Sequence, residues 1–162
     1  MSAAIMTQAE CLESYGSQYN INKLIDQKKL FHIERGVYSE KEHAPTLAVI
    51  AFKYPKAVVT MNNAFYIHDL TDVIPTQYDL ATDRDAARIK DKRVHQYFYP
   101  KDTFKNGVET MDYRGFTIRA YTKERMLIEL IRYRSKLPFD EGISREASTY
   151  QNKRSKRIRA KQ

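Results

Sequence analysis

SQYNINKLIDQKKLFHIERGVY, residues 17–38, changes its hydrophobic period halfway along. The first half places three aliphatic residues on one helical stripe and leaves the opposite face polar, which predicts an amphipathic helix. The second half alternates apolar and polar residues from Phe31 to Glu34, and Gly36 permits a tight turn before a second short strand. The stretch therefore predicts a helix followed by a β-hairpin. The aliphatic residues of the stripe are Ile21, Leu24 and Ile25.

A second helix is predicted upstream, because Ile5, Ala9 and Leu12 fall at helical spacing and residues 15–17 supply a turn. We expect residues 1–40 to form a winged helix-turn-helix head, in which Asn and Gln pair with base edges and cations bind phosphates. A small helix-plus-hairpin that packs on the rest of the chain and binds nothing fits the same pattern. The candidate DNA-binding residues are Ser17, Gln18, Asn20, Asn22, Lys23, Lys28, Lys29, His32 and Arg35.

A mixed α/β body is predicted over residues 44–140, so that the whole chain has the α+β fold class with a helix near its C-terminus. Helical and alternating apolar patterns follow each other through this region, separated by Pro, Gly and polar turns. The predicted elements are a helix over 46–53, a buried strand over 57–59, a helix over 64–68 capped by Asn62 or Asn63, a half-exposed strand over 76–81, a strand over 93–99, a hairpin over 107–120, and an amphipathic helix built on Met126, Leu127, Leu130 and Ile131.

Positive charge is concentrated at the C-terminus. The net charge is +8, and residues 143–162 account for six of these charges with seven Lys or Arg against one Glu. Such a segment cannot bury enough apolar surface to offset its ordering entropy, so residues 141–162 are predicted to be a disordered basic tail. It could bind phosphate, make the chain more soluble, or be recognised by another protein. Its candidate phosphate-binding residues are Lys153, Arg154, Lys156, Arg157, Arg159 and Lys161.

A cytoplasmic location is expected. The single Cys11 excludes an intramolecular disulfide framework and fits a reducing compartment. The sequence has neither the apolar run of about 18 residues that a transmembrane helix needs nor a signal peptide, so no membrane partner is predicted.

No catalytic site, metal site or cofactor is predicted. The four histidines never fall three or four residues apart, and one cysteine cannot build a zinc site. The acidic-x-Lys triplet at residues 26–28 lies in the predicted recognition helix rather than on a body strand. Asp79, Asp83 and Asp85 could gather around a metal, but a solvated acidic loop is the favoured interpretation. Aromatic residues interleaved with cations in the second half leave RNA stacking as a weaker alternative to core packing.

Four segments in order resemble the AbiE-type antitoxins, the transcriptional regulators of abortive-infection toxin–antitoxin operons. The resemblance covers residues 7–138, and it implies a chain that is shortened or diverged at both ends. The segments are LIDQKKLFHIERGVY (24–38), which is similar to the family's leader helix and its RGVY ending, PKAVVT with NAFYIHDL (55–60 and 63–70), GFTIRAY (115–121) and TKERMLIEL (122–130).

The resemblance implies a DNA-binding transcriptional repressor that acts as an antitoxin. Its expected partners are double-stranded promoter DNA at inverted repeats and a nucleotidyltransferase-type toxin, which it would counter without necessarily forming a stable complex. The alternative is an inhibitor, encoded by a phage or mobile element, that binds a host nucleic-acid enzyme, or an RNA-binding protein. The sequence leaves the operator, the toxin and the oligomeric state open.

Overall fold

The computed structural model describes residues 4–133, which form six helices and two β-sheets. The predicted α+β class is therefore confirmed. The predicted basic tail lies outside the described residues, as does the end of the predicted body. None of the helices within residues 4–133 is long and apolar enough to cross a membrane.

The described residues divide into two units that alternate along the chain. The first unit contains the residues up to Ala57 together with residues 110–119, and the second contains the others. The sequence predicts a head that ends at residue 40, whereas the first unit continues beyond it. Contacts between distant segments explain the difference. Lys53 Nζ lies 2.7 Å from Glu34 Oε1, for example, and ties the later helix of the first unit to its hairpin.

The first unit contains a three-stranded antiparallel sheet in the order β1-β3-β2. A two-residue turn joins β2 to β3, and its Gly36 has a φ of 75°, a left-handed conformation that glycine adopts without strain. The predicted hairpin is thus confirmed. In chain order the unit's elements are β1 (Ile5–Thr7), α1 (Gln8–Tyr15), α2 (Gln18–Asp26), β2 (Phe31–Glu34), β3 (Val37–Ser39) and α3 (Thr46–Lys53).

Helix α1 begins later than the sequence predicts, because Thr7 and Glu10 form a capping box. Glu10 Oε2 accepts the Thr7 backbone N–H at 2.6 Å, and the Glu10 N–H donates to Thr7 Oγ1 at 3.2 Å. Ile5 is consequently a strand residue, which corrects the predicted helical stripe. Leu12, another member of that stripe, is 38% exposed. The residue of α1 that is buried is Cys11.

The stripe predicted on α2 is confirmed, and it closes the small core of the first unit. Ile21 is fully buried, and Leu24 and Ile25 are partly buried against the same cluster. The other buried members of this core are Cys11, Leu30 and Tyr38.

The second sheet has five strands in the order β6-β5-β4-β8-β7. Strand β4 runs antiparallel to β5 and parallel to β8, and β5 runs parallel to β6. Residues 110–119 of β7 and β8 are counted with the first unit. The elements are β4 (Val58–Val59), α4 (Met61–Ile67), β5 (Tyr78–Asp83), β6 (Val94–Tyr99), α5 (Lys101–Phe104), β7 (Val108–Tyr113), β8 (Phe116–Tyr121) and α6 (Lys123–Tyr133).

Helix α4 begins at Met61 with Thr60 as its N-cap, and not at residue 64 behind an asparagine cap. The reason is that Asn63 is used elsewhere, since its Oδ1 accepts the Asp79 backbone N–H at 2.7 Å. Strand β5 also differs from the prediction, because four of its six residues are buried rather than alternating with exposed ones.

The buried face of α6 is confirmed only in part, since Leu127 and Leu130 pack against the core as predicted but the face also includes a carboxylate. Met126 is buried as expected, but Ile131 is 66% exposed and Glu129 is fully buried. A periodicity that counts only apolar residues cannot place a buried carboxylate.

Lys28 adopts a left-handed conformation, with φ 55°, in the turn that ends α2. The Lys29 N–H donates to Leu24 O at 2.9 Å and the Lys28 N–H to Ile25 O at 3.0 Å, which is the Schellman pattern with Lys28 at the position where glycine is favoured.

We expect Lys28→Gly to raise the free energy of unfolding by about 0.5–1 kcal/mol, because glycine removes the Cβ strain of this conformation. Urea unfolding of the full chain measures it. The control is Lys29→Gly, which removes the same charge at a residue without positive φ and should be neutral or destabilising. Equal effects of the two substitutions would contradict the prediction.

Candidate nucleic-acid interface

Helix α2 presents one continuous exposed face, opposite its buried Ile21. Spacings of three and four residues place five exposed side chains on it. The amides at its N-terminal end are ordered by two hydrogen bonds, from Gln18 Nε2 to Asn22 Oδ1 at 3.0 Å and from Gln8 Nε2 to Gln18 Oε1 at 3.2 Å. We call this surface the α2 face; it consists of Gln18, Tyr19, Asn22, Lys23 and Asp26.

Two of the predicted DNA-binding residues build the turn before α2 instead of lying on the α2 face. Ser17 is the N-cap, and its Oγ accepts the Asn20 backbone N–H at 3.3 Å. The Asn20 side chain turns back and donates from Nδ2 to Tyr15 O at 2.7 Å. Gly16, with φ 81°, ends α1 and directly precedes Ser17. The structure therefore gives Ser17 and Asn20 a role in the geometry of the turn.

The four predicted residues beyond α2 are all exposed in the first unit. Lys28 and Lys29 lie in the turn after the helix, His32 lies on β2, and Arg35 lies in the turn between β2 and β3. The His32 ring packs edge-on against Tyr38, with 5.1 Å between the ring centroids.

The segment from Gln18 to Gly36 carries a net positive charge. Four Lys or Arg stand against Asp26 and Glu34. The Glu34 carboxylate is itself neutralised by its 2.7 Å ion pair with Lys53. Asp26 is the one acidic residue on the α2 face, and it lies at the end of the helix away from Gln18.

Sequence reasoning missed Tyr19, which is 75% exposed on the α2 face. The signal in the sequence is its spacing of four residues from Lys23, which places the two side chains on one face of a helix. A large exposed aromatic ring beside amides and a cation is typical of a binding surface.

The second unit contains a buried polar cluster that the sequence analysis did not predict. Glu129 is fully buried, and its Oε1 accepts from Arg125 Nε at 3.0 Å and lies 3.5 Å from Arg132 Nη1. The Arg125 guanidinium group lies over the rings of Tyr121 and Tyr99, at 5.0 and 5.7 Å from their centroids. The signal in the sequence is the Arg-Glu spacing of four residues, which forms an ion pair on a helix.

Four polar atoms of this cluster are buried without a hydrogen-bond partner among the described residues. They include Glu129 Oε2 and the Tyr99 hydroxyl, and burial followed by the Glu129 charge raises the pKa of Tyr99 well above its ordinary value. Arg125 Nη2 is 3.0 Å from Glu129 Oε1, in an orientation that forms an ion pair but not a hydrogen bond. The fourth atom is Thr60 Oγ1. Because these groups are enclosed, we expect substitutions in the cluster to change the stability of the fold.

The three acidic residues considered as a metal site do not converge. Asp79 is buried, whereas Asp83 accepts the Asp85 backbone N–H at 2.8 Å in a turn and Asp85 pairs with Lys101 at 2.6 Å. Within residues 4–133, no group of three or more His, Cys, Asp or Glu side chains is arranged to hold a metal ion.

Asp79 instead faces an exposed imidazole. Its Oδ2 accepts the Asn62 backbone N–H at 3.0 Å, and its Oδ1 lies 3.5 Å from His95 Nδ1. Burial raises the pKa of Asp79, while the Asn62 N–H and His95 oppose the shift. Tyr97 packs on His95, and burial followed by the Asp79 charge raises the pKa of Tyr97 to about 12. Tyr97 is therefore a neutral phenol rather than an activated nucleophile.

No protein-family model matches this chain, and no curated protein matches it.

We expect Glu129→Ala to lower the free energy of unfolding by about 3–5 kcal/mol, because it leaves the Arg125 guanidinium group buried without its counterion. Denaturant unfolding measures the change. The double substitution Arg125→Met/Glu129→Leu removes both charges and should cost less than the single one. Glu124→Ala, at an exposed position in the first turn of the same helix, is the control and should cost less than about 1 kcal/mol. A double variant less stable than Glu129→Ala would contradict the prediction.

Asp79 should make the fold less stable as the pH rises. Its pKa is raised in the folded state, so the folded protein holds this proton more tightly than the unfolded chain does. That contribution is fully present below the ordinary pKa of 3.8 and is lost as the pH rises through the folded-state pKa. Asp79→Asn should remove this fall from the curve of unfolding free energy against pH. A variant whose curve falls as steeply as that of the parent would contradict the assignment.

Proposed function

We propose that the first unit is a winged helix-turn-helix that binds duplex DNA, with α2 as its recognition helix. The proposal is carried by the α2 face, a polar surface with ordered amides that is followed by four exposed side chains able to bind phosphate. The order helix, turn, helix and hairpin, with β1 completing an antiparallel sheet, supports it further. A nine-residue helix is about 13 Å long at 1.5 Å per residue, enough to lie in the major groove.

The residues take different roles in this proposal. Gln18 and Asn22 point from the first turns of α2, where Asn and Gln amides pair with the N6 and N7 atoms of adenine. Lys23, Lys29 and Arg35 bind phosphates, which fixes the position of the helix without reading sequence. Tyr19 packs its ring on the sugar-phosphate backbone beside them.

We further propose that this DNA binding represses transcription, and that the protein acts as an antitoxin of an abortive-infection toxin–antitoxin system. The support for the biological setting is the resemblance of the four segments between residues 24 and 130 to AbiE-type antitoxins. On this proposal the first unit occupies promoter DNA at inverted repeats. The second unit then carries the activity that counters a nucleotidyltransferase-type toxin.

The test of DNA binding is a gel-shift titration of the full chain on duplex DNA over a range of salt concentrations. Lys29→Gln should weaken binding to all duplexes alike and reduce the slope of log K against log salt by about 0.9, because one phosphate contact is lost. Lys90→Gln is the matched control, since Lys90 is an exposed lysine of the second unit. Absence of duplex binding at low salt, or equal effects of the two substitutions, would rule the proposal out.

Sequence reading is tested by a matched pair of asparagine substitutions. Asn22→Ala should cost about 1–3 kcal/mol of binding at the preferred site and little elsewhere, because it removes a base contact. Asn20→Ala should lower the unfolding free energy and weaken binding to every sequence equally, because it releases the Tyr15 carbonyl. The two results reversed would move the reading role from Asn22 to Asn20.

A further inference from the structure

The first unit contains an open cavity of about 770 Å³, which shares Arg35 with the proposed DNA contacts but none of the residues of the α2 face. This volume lies within the range of about 300–1,000 Å³ that small-molecule sites occupy. Strand β1, the turn between β2 and β3, the end of α3 and strand β8 contribute its walls. Much of the surface is apolar and comes from Ile5, Val37, Ala51, Phe52, Phe116 and Ile118.

Three cationic side chains line the same cavity: Arg35, Lys53 and Arg119. Arg119 is held in place, because its Nη1 donates to Pro55 O at 2.9 Å. That bond uses one of the five N–H groups of the guanidinium fork. Arg35 is exposed in the hairpin turn at the edge of the cavity.

Glu10 is the acidic residue in the lining, and its Oε2 is occupied by neutral donors, although the carboxylate keeps its charge. Its Oε2 accepts the Thr7 N–H at 2.6 Å and the Thr7 hydroxyl at 2.9 Å, the bonds that cap α1. Lys53 is balanced by Glu34 at 2.7 Å. With Lys53 balanced by Glu34, the charges of Arg35 and Arg119 exceed that of Glu10 and leave the lining with a net positive charge.

We propose that this cavity binds a small organic anion that has an apolar body. The body lies on the apolar walls, where it buries surface from water, and the anionic group binds the guanidinium groups of Arg35 and Arg119. Arginine suits this role because its planar fork donates two parallel hydrogen bonds to a carboxylate or a similar group. A neutral ligand would leave the net positive charge of the lining uncompensated, and an inorganic anion would leave the apolar walls unused.

Binding in the cavity also regulates DNA binding, a consequence that rests on the proposed function. Arg35 belongs both to the cavity and to the predicted phosphate contacts. An anion that holds its guanidinium group competes with a phosphate for the same donors. The ligand therefore acts as an inducer, which weakens the binding of the hairpin to DNA.

The probe for the cavity is 8-anilinonaphthalene-1-sulfonate, which has an aromatic body and a single negative charge and fluoresces when bound. We expect saturable binding to the full chain without DNA. Arg35→Gln and Arg119→Gln should each raise the dissociation constant about tenfold, the effect of one lost charge-assisted hydrogen bond. Arg88→Gln, at an exposed arginine outside the cavity, should leave it within twofold. Arg35→Gln lies in an exposed turn and should not change the thermal unfolding midpoint.

N-phenyl-1-naphthylamine, which has the same aromatic body without the sulfonate, is the matched neutral probe. It should bind more weakly than the sulfonate probe, and all three arginine substitutions should change its dissociation constant equally. Equal affinity for the two probes, or equal responses of the three variants to the sulfonate, would overturn the proposal. Addition of the sulfonate probe to the DNA titration should weaken DNA binding by about the factor by which Arg35→Gln weakens DNA binding. If the protein binds the probe but no duplex, the proposed function fails while the anion site stands.

Discussion

The hydrogen bonds between Thr7 and Glu10 fix the point at which the chain leaves β1 and enters α1. Without them, Ile5 and the residues after it could continue one helix, as their spacing suggests. Because the capping box interrupts the helix, residues 5–7 are free to pair with β3, and Cys11 becomes the buried residue of α1. The direction of α1, the tight turn at Gly16 and the presentation of the α2 face all follow from where that helix begins.

The parts of the fold that local sequence reveals are those whose partners are near in the chain. The stripe of α2 and the hairpin after it depend on spacings of three, four and two residues, and both were predicted. Strand β1 was not, because a three-residue strand has no period of its own and Ile5 pairs with Ser39, far along the chain. The continuation of the first unit to Ala57, and its inclusion of residues 110–119, depend on contacts of the same distant kind.

The candidate site could be predicted from the sequence only in part, for a different reason. Residue type indicated which side chains could bind DNA, but it could not show that the Asn20 amide donates to a backbone carbonyl while the Asn22 amide pairs with Gln18 on the α2 face. Glu129 illustrates the reverse error. A carboxylate is expected at the surface, and here the guanidinium group of Arg125 offsets enough of the desolvation cost for the carboxylate to be enclosed. Both errors concern the hydrogen-bond or ion-pair partner of a polar group, which the sequence indicates only when that partner is near in the chain.

Burial of the chain's single thiol gives the first unit a chemical reporter of its own motions. Cys11 is inaccessible in the folded state, and burial followed by the Glu10 charge raises the pKa of its thiol, so that the reactive thiolate is doubly suppressed. A thiol reagent can therefore modify the protein only when α1 separates from α2 and the sheet. When opening and reclosing are fast compared with modification, the labelling rate measures the free energy of that opening. Since residues 58–109 contain no cysteine, openings confined to them are not labelled, and a change in the labelling rate on adding DNA or an organic anion would report on openings that expose Cys11.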